Sequence, residues 1–281
     1  MKGPIGIFDS GYGGLTVFRS IAARLPAYDY LYLGDNARAP YGARSFETVH
    51  RYTREAVEWL FGQGCPLVIL ACNTASAKAL RTIQQKDLPR MGPANRVLGV
   101  IRPTAEVIGR YTSTGHVGIL ATTGTVRSGS YLLEIARAFP SLTVHQQACP
   151  MWVPLVETGA YGGGGADFFI RECTDALMAQ SPQIDAVLLA CTHFPILRSA
   201  IEARLPAQVR VIEQGPIVAE SLADYLHRHP EMEVRLSKGE GMGGRFFHTT
   251  DDVAEFERQA AVFYGAPVRA LQTNLDGRLQ D

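Results

Sequence analysis

At 281 residues, with 46% hydrophobic and 19% charged side chains, the chain reads as a soluble globular protein long enough for two α/β units. Lys plus Arg equals Asp plus Glu, 27 of each, which gives no argument for a surface that binds nucleic acid or an acidic membrane. Its apolar runs are strand-sized, too short to span a bilayer, and the apolar start is cut off by Asp9 before it reaches signal-peptide length, so a cytoplasmic location is expected.

In chain order, residues 5–8 predict a first strand that ends at Asp9-Ser10-Gly11-Tyr12-Gly13-Gly14, before a helix from Leu15. The turn lacks Gly-x-Gly-x-x-Gly spacing, which argues against dinucleotide binding; Asp9 at its lip is either functional or a plain helix cap. A second strand over 29–33 leads to a loop holding Pro40, Tyr41 and Gly42, where backbone N–H groups can face a carboxylate. Tyr41 itself reads equally well as a packing residue of that loop. Ser45 caps the long helix that follows.

The run Leu67-Val68-Ile69-Leu70-Ala71 predicts a strand buried on both faces, and Cys72-Asn73-Thr74 leaves it at its carboxyl end. Ligands sit at that end of open parallel sheets. A helix over 75–86, a Pro/Gly-rich break over 88–93 and a strand over 97–100 follow, and a helix opened by Pro103 lies just past the handover to the second half near residue 100.

The second half opens with a strand over 117–120 and the turn Ala121-Thr122-Thr123-Gly124-Thr125, then a helix from Ser128 or Ser130 and a strand over 143–148. Glu157 closes a Pro-bearing apolar segment; a solvated position is its ordinary fate, and a cleft-facing acid is the alternative. A glycine loop, 162–165, precedes a helix over 166–179. Val187-Leu188-Leu189-Ala190 then runs into Cys191-Thr192-His193-Phe194-Pro195. A helix to about 204, a strand over 209–212, a helix from Glu213, strands over 233–236 and 245–248 and a helix over 251–264 end the pattern.

Two echoes organise this order. Cys191 follows Cys72 by 119 residues in matching Leu-Ala-Cys contexts, and the strand at Val117 follows the one at Ile5 by 112. The expected architecture is therefore two pseudo-symmetric open parallel-sheet α/β domains, residues 1–99 with 213–281 and residues 100–212, with the active site between them. If the halves face each other, two thiols flank one ligand, as inversion of a carbon centre by two bases requires.

A thiol titrates near pH 8.5, so one can take an α-proton as thiolate while its partner returns one from the other face. Asp9 with Ser10 can serve Cys72, and His193 with Glu157 can serve Cys191. Asn73, Thr74 and Thr192 are of the type that fixes a carboxylate or ammonium. The five cysteines are odd in number and include no Cys-x-x-Cys pair, so no disulfide framework is expected. A cysteine hydrolase is disfavoured because residues two apart on a turn rarely align as nucleophile and base, and a zinc site because no local ligand pair has the spacing.

Taken in order, Asp9-Ser10-Gly11, Pro40-Tyr41-Gly42, Ala71-Cys72-Asn73-Thr74-Ala75, Gly124-Thr125-Val126, Val153-Pro154-Leu155-Val156-Glu157 and Cys191-Thr192-His193-Phe194-Pro195 resemble the cofactor-independent aspartate/glutamate racemase superfamily, its glutamate racemases in particular. The resemblance implies interconversion of L- and D-glutamate without a cofactor or metal, supplying D-glutamate for peptidoglycan, by a homodimer. It implies that Cys72 and Cys191 exchange the proton, with Asp9, Glu157 and His193 assisting. It further implies substrate binding by Asp9, Ser10, Tyr41, Gly42, Asn73, Thr74, Thr122, Thr125, Thr192 and His193. Phe194 stands where Tyr is frequent and Arg102 where an acid is frequent, departures at the periphery. Another amino-acid racemase would share both cysteines but hold a different side chain; a non-catalytic amino-acid-binding protein would tolerate losing both.

Overall fold

In the computed structural model, which describes residues 2–275, ten strands among those residues sort into two wholly parallel sheets. The first contains β1 (Ile5–Asp9), β2 (Tyr30–Gly34), β3 (Leu67–Leu70) and β4 (Arg96–Gly99). The second contains β5 (His116–Ala121), β6 (Thr143–Ala148), β7 (Ala186–Ala190) and β8 (Arg210–Glu213), in the order β6-β5-β7-β8. The chain then returns to the first sheet with β9 (Arg245–Thr249) and β10 (Ala270–Gln272), whose order is β10-β9-β2-β1-β3-β4.

Four strands of each sheet thus share one order, second-first-third-fourth. Branched apolar residues buried on both faces make β1, β3 and β7, as parallel strands covered by helices require. Phe8 pairs with Leu70 and Leu120 with Leu189, so in each half the first and third strands end side by side, where the strand order switches direction. That is where an open sheet forms its crevice.

The helices that position this crevice are α1 (Leu15–Arg24), α2 (Phe46–Gly62), α3 (Asn73–Lys78), α4 (Ile101–Ala105), α5 (Thr123–Ser128), α6 (Ser130–Ala138), α7 (Trp152–Glu157), α8 (Gly164–Met178), α9 (Gln214–Arg228) and α10 (Val253–Tyr264). Ser45 caps α2 by accepting from Thr48 N, and Asp252 caps α10 by accepting from Glu255 N. One apolar cluster joins Phe18, Tyr30 and Tyr32 of the first half to Leu189, Trp152 and Phe194 of the second, through α9 and α10. All five cysteines are free and buried. Among the described residues no helix is long and apolar enough to cross a membrane.

Two predicted elements differ, and one strand was not expected. The helix expected over 75–86 is interrupted after Lys78, passes through a π-helical stretch at Ile83–Asp87 and continues over Leu88–Met91. Pro89 does not break it, because it falls in the first turn of that last piece, where its missing N–H has no partner to lose. The strand expected over 233–236 is largely absent: Pro230–Glu233 is a helical turn started by Pro230, and Leu236 makes only an isolated bridge to Gly3. The three-residue edge strand β10 was not foreseen, its Ala-Leu-Gln carrying little strand signal.

Candidate active site

The side chains singled out by the echoes stand on equivalent strand ends. Asp9 closes β1 and Cys72 follows β3; Thr122 follows β5 and Cys191 follows β7. Both thiols are 6% exposed. The two halves touch through these residues: Thr192 Oγ1 lies 3.4 Å from Asp9 Oδ1, Thr74 Oγ1 lies 3.1 Å from Thr122 Oγ1, and Thr16 Oγ1 donates to Thr192 O at 2.9 Å. A negative charge placed on Cys191 would add to the burial that opposes ionisation of Cys72.

Around Cys72, the sulfur caps α3 by accepting from Ala75 N at 3.4 Å and lies 3.4 Å from Ser10 Oγ. Burial, reinforced by Asp9, pushes this thiol up to about 12. Asp9 is wholly buried, and burial raises its carboxyl above the usual range even though His193 and the N–H of Gly11, 2.9 Å from Oδ2, pull the other way. Asp9 is not the residue that precedes α1, which is Gly14; its carboxylate accepts from the N–H groups of Gly11 and Gly14 in the turn and meets Thr192 Oγ1 of the opposite half.

Around Cys191, the sulfur lies 4.0 Å from His193 Nδ1, and His193 Nε2 lies 3.0 Å from Glu157 Oε1. Burial alone would discharge the imidazole, but Cys191 and Glu157 outweigh it and hold the ring up to about 10. His193 thus holds its proton beside one sulfur. Glu157 is not a solvated helix end: its side chain is 26% exposed and faces His193. Its carbonyl accepts from Gln259 Nε2 at 2.7 Å, and the Phe263 ring meets His193 edge-on at 5.2 Å, so α10 braces the pair from behind.

The glycines of the first turn are needed for close approach. A Cβ on Gly13 would fall 2.3 Å from Thr192 Oγ1 and 2.4 Å from His193 Nδ1, and one on Gly14 would fall 2.5 Å from Asp9 Cβ. The turn is shaped to admit the opposite half.

Hydroxyls line the other side. Thr74, Thr122 and Thr125 form a cluster with Oγ1 separations of 3.1 to 3.5 Å, and Thr122 caps α5. Gly42 packs on Thr122, where an added Cβ would lie 3.3 Å from Thr122 Cβ. The side chains of Tyr41 and Asn73 do not join this group. Tyr41 is buried, packs on Phe8 and Tyr52, and donates its hydroxyl to Asp35. Asn73 places its amide in a buried network with Gln214 and Tyr131. Gln214, Tyr131, Gln259 and Phe263 carried no motif in the sequence; each is read only through a partner tens of residues away.

The arrangement offers two sulfurs on facing strand ends, one with a buried carboxyl and a serine, the other with a His–Glu pair. It can move a proton to or from both faces of a bound carbon.

Against known proteins, a family model described as Asp/Glu/Hydantoin racemase matches residues 5–222. A glutamate racemase of Ruegeria pomeroyi is 40% identical over 269 residues, covering 92% of this chain and 96% of that protein. The crystal structure of a glutamate racemase isoform from Bacillus anthracis superposes with a TM-score of 0.88 at 32% identity, covering 97% of this chain and 98% of that one. A Francisella tularensis glutamate racemase in complex with D-glutamate gives 0.86 at 28% identity, with 99% of each chain covered.

Proposed function

The chain belongs to the Asp/Glu/hydantoin racemase family, and from that premise we propose that it interconverts L- and D-glutamate by passing the α-proton between Cys72 and Cys191. Racemisation of glutamate is the activity of its relatives across nearly their whole length, which supports the same activity here. The observation that carries the mechanism is the pair of thiols on matched strand ends, each with its own proton partner.

Glutamate bound between the halves presents one face of its α-carbon to each sulfur. One sulfur, as thiolate, removes the proton; the carbanion is planar; the other sulfur, as thiol, delivers a proton to the opposite face. In the resting site Cys72 is held protonated, because burial and Asp9 disfavour its charge. His193, held protonated by Cys191 and Glu157 against the pull of burial, supplies or receives the proton of Cys191. A substrate ammonium near Asp9 and Cys72 offsets the Asp9 charge that adds to burial in keeping Cys72 protonated, so binding itself readies the reverse direction.

The carboxylates of the substrate are held by donors, for which Ser10, Thr74, Thr122, Thr125 and Thr192 supply hydroxyls. Tyr41 and Asn73 contribute through their backbone or their packing, since their side-chain polar atoms are engaged elsewhere. No cofactor or metal enters this scheme. The reading extends to a two-domain division at residues 99/100 and 212/213, supported by the two sheets, and, from the family resemblance alone, to a cytoplasmic homodimer supplying D-glutamate for peptidoglycan.

Incubation of the purified protein with L-glutamate, followed by chiral separation, tests the reading. D-Glutamate is expected to accumulate towards an equal mixture, and Cys72→Ala or Cys191→Ala to lower turnover by about 10³-fold or more. No D-glutamate from the intact protein, or full activity in either variant, would overturn it.

A further inference from the structure

Directly behind the two thiols a closed ring of three hydrogen bonds ties the halves together. Tyr131 OH donates to Asn73 Oδ1 at 2.7 Å, Asn73 Nδ2 donates to Gln214 Oε1 at 2.7 Å, and Gln214 Nε2 donates to Tyr131 OH at 2.6 Å. All three side chains are buried, at 2% exposure for Asn73, 0% for Tyr131 and 3% for Gln214. Each comes from a different part of the fold: Asn73 follows Cys72, Tyr131 lies on α6 of the second half, and Gln214 is the first residue of α9, where the chain turns back from β8.

The ring also reaches the second sulfur. Gln214 lines, with Thr16, Thr192 and Cys191, a void of about 10 Å³ behind that thiol. Gln214 Nε2 has two further acceptors, Thr104 Oγ1 at 3.1 Å and Val100 O at 3.3 Å, in the segment that links β4 to the second half. Burial keeps the Tyr131 phenol protonated, so it stays a donor to Asn73, and that fixes which way both amides point.

We propose that Tyr131 and Gln214 are positioning residues for the racemisation: acting through Asn73, they hold the strand end bearing Cys72 at a set distance from the one bearing Cys191. The proposal rests on the two-thiol reading given above. Its physical basis is that a two-base inversion needs both sulfurs within reach of one carbon at once, whereas abstraction and return on one face need only one. Loosening the ring therefore harms inversion more than it harms exchange. A displacement of about 1 Å at a reacting group costs about 100-fold in rate.

The test uses Tyr131→Phe, which removes one hydroxyl, and Thr104→Val, which removes an outer acceptor while keeping shape. For each, kcat and KM are measured with L-glutamate. In deuterated water, the rate at which deuterium enters the α-position without inversion is compared with the rate of D-glutamate formation. Tyr131→Phe is expected to lower kcat by about 10- to 100-fold with KM changed less than about threefold, and to raise the exchange-to-inversion ratio. Thr104→Val is expected to move both in the same direction by less. If Tyr131→Phe does not fold, the ratio in Thr104→Val decides alone.

A lowered kcat with an unchanged ratio would mean that the ring only supports the fold, and would overturn the proposal, as would wild-type kinetics in a folded variant. Persisting racemisation in Cys72→Ala or Cys191→Ala would instead sink the two-thiol reading; cysteine-dependent turnover with an unaffected ring sinks the positioning role alone.

Discussion

At His193, burial and charge act in opposite directions, and the outcome can be read against pH. The ring is held up to about 10, above its ordinary 6.5, so its pairing with Glu157 and Cys191 contributes stability that is full below about 6.5 and is lost as pH rises through about 10. His193→Gln should therefore lower unfolding stability by about 1.5–3 kcal/mol at pH 6, the range for hydrogen bonds to charged groups, and by little above pH 10. Thermal unfolding across that range checks it; a deficit that grows with pH would contradict the assignment. Glu157→Gln should move the alkaline limb of the kcat/KM profile to lower pH, since one of the groups holding the His193 proton is gone; an unmoved limb would exclude Glu157 from that role. The cysteines, Asp9 and the threonines were legible because they sit where strands stop, and the repeat marks them twice. Glu157 was legible only as one of two readings, because what draws it into the cleft is His193, 36 residues away.

Between residue and domain, the elements show which local signals survive packing. The turn from β1 to α1 is glycine-rich because the other half lies against it, so Gly13→Ala should cost about 100-fold in kcat by displacing His193 and Thr192. The circular dichroism spectrum should be retained, and a variant that kept both fold and turnover would show that the contact can relax. The carboxyl-terminal helix α10 braces Glu157 from behind, and Gln259→Leu removes the donor to its carbonyl. That change should cost about 1–3 kcal/mol in unfolding free energy, through a carbonyl left without its partner, together with part of kcat. Unchanged stability and kinetics would show that α10 braces nothing. Strands of continuous Val, Ile and Leu were legible, since runs this short, rich in branched residues and bounded by turn residues, suit a covered parallel strand better than a helix. Residues 233–236 misled because Val234 and Leu236 alternate with polar neighbours, while Pro230 starts a helical turn that takes Glu233. The π-helical stretch and β10 have no sequence period of their own; tertiary partners such as the His50–Asp87 pair and the edge of β9 accompany them.

Across the whole molecule, two sheets that share a four-strand order bring their carboxyl ends to a common cleft, and one apolar cluster runs beneath it through α1, α9 and α10. The repeat made this plan readable in advance, and the return of the chain to the first sheet through β9 and β10 closes it. The central claim is that two sulfurs act on opposite faces of one carbon, and an early time course with L-glutamate in deuterated water tests it most directly. The account predicts that the first D-glutamate formed carries deuterium at its α-carbon while the remaining L-glutamate is still protiated there. D-Glutamate that keeps its original α-proton, handed across by a single base, would contradict it.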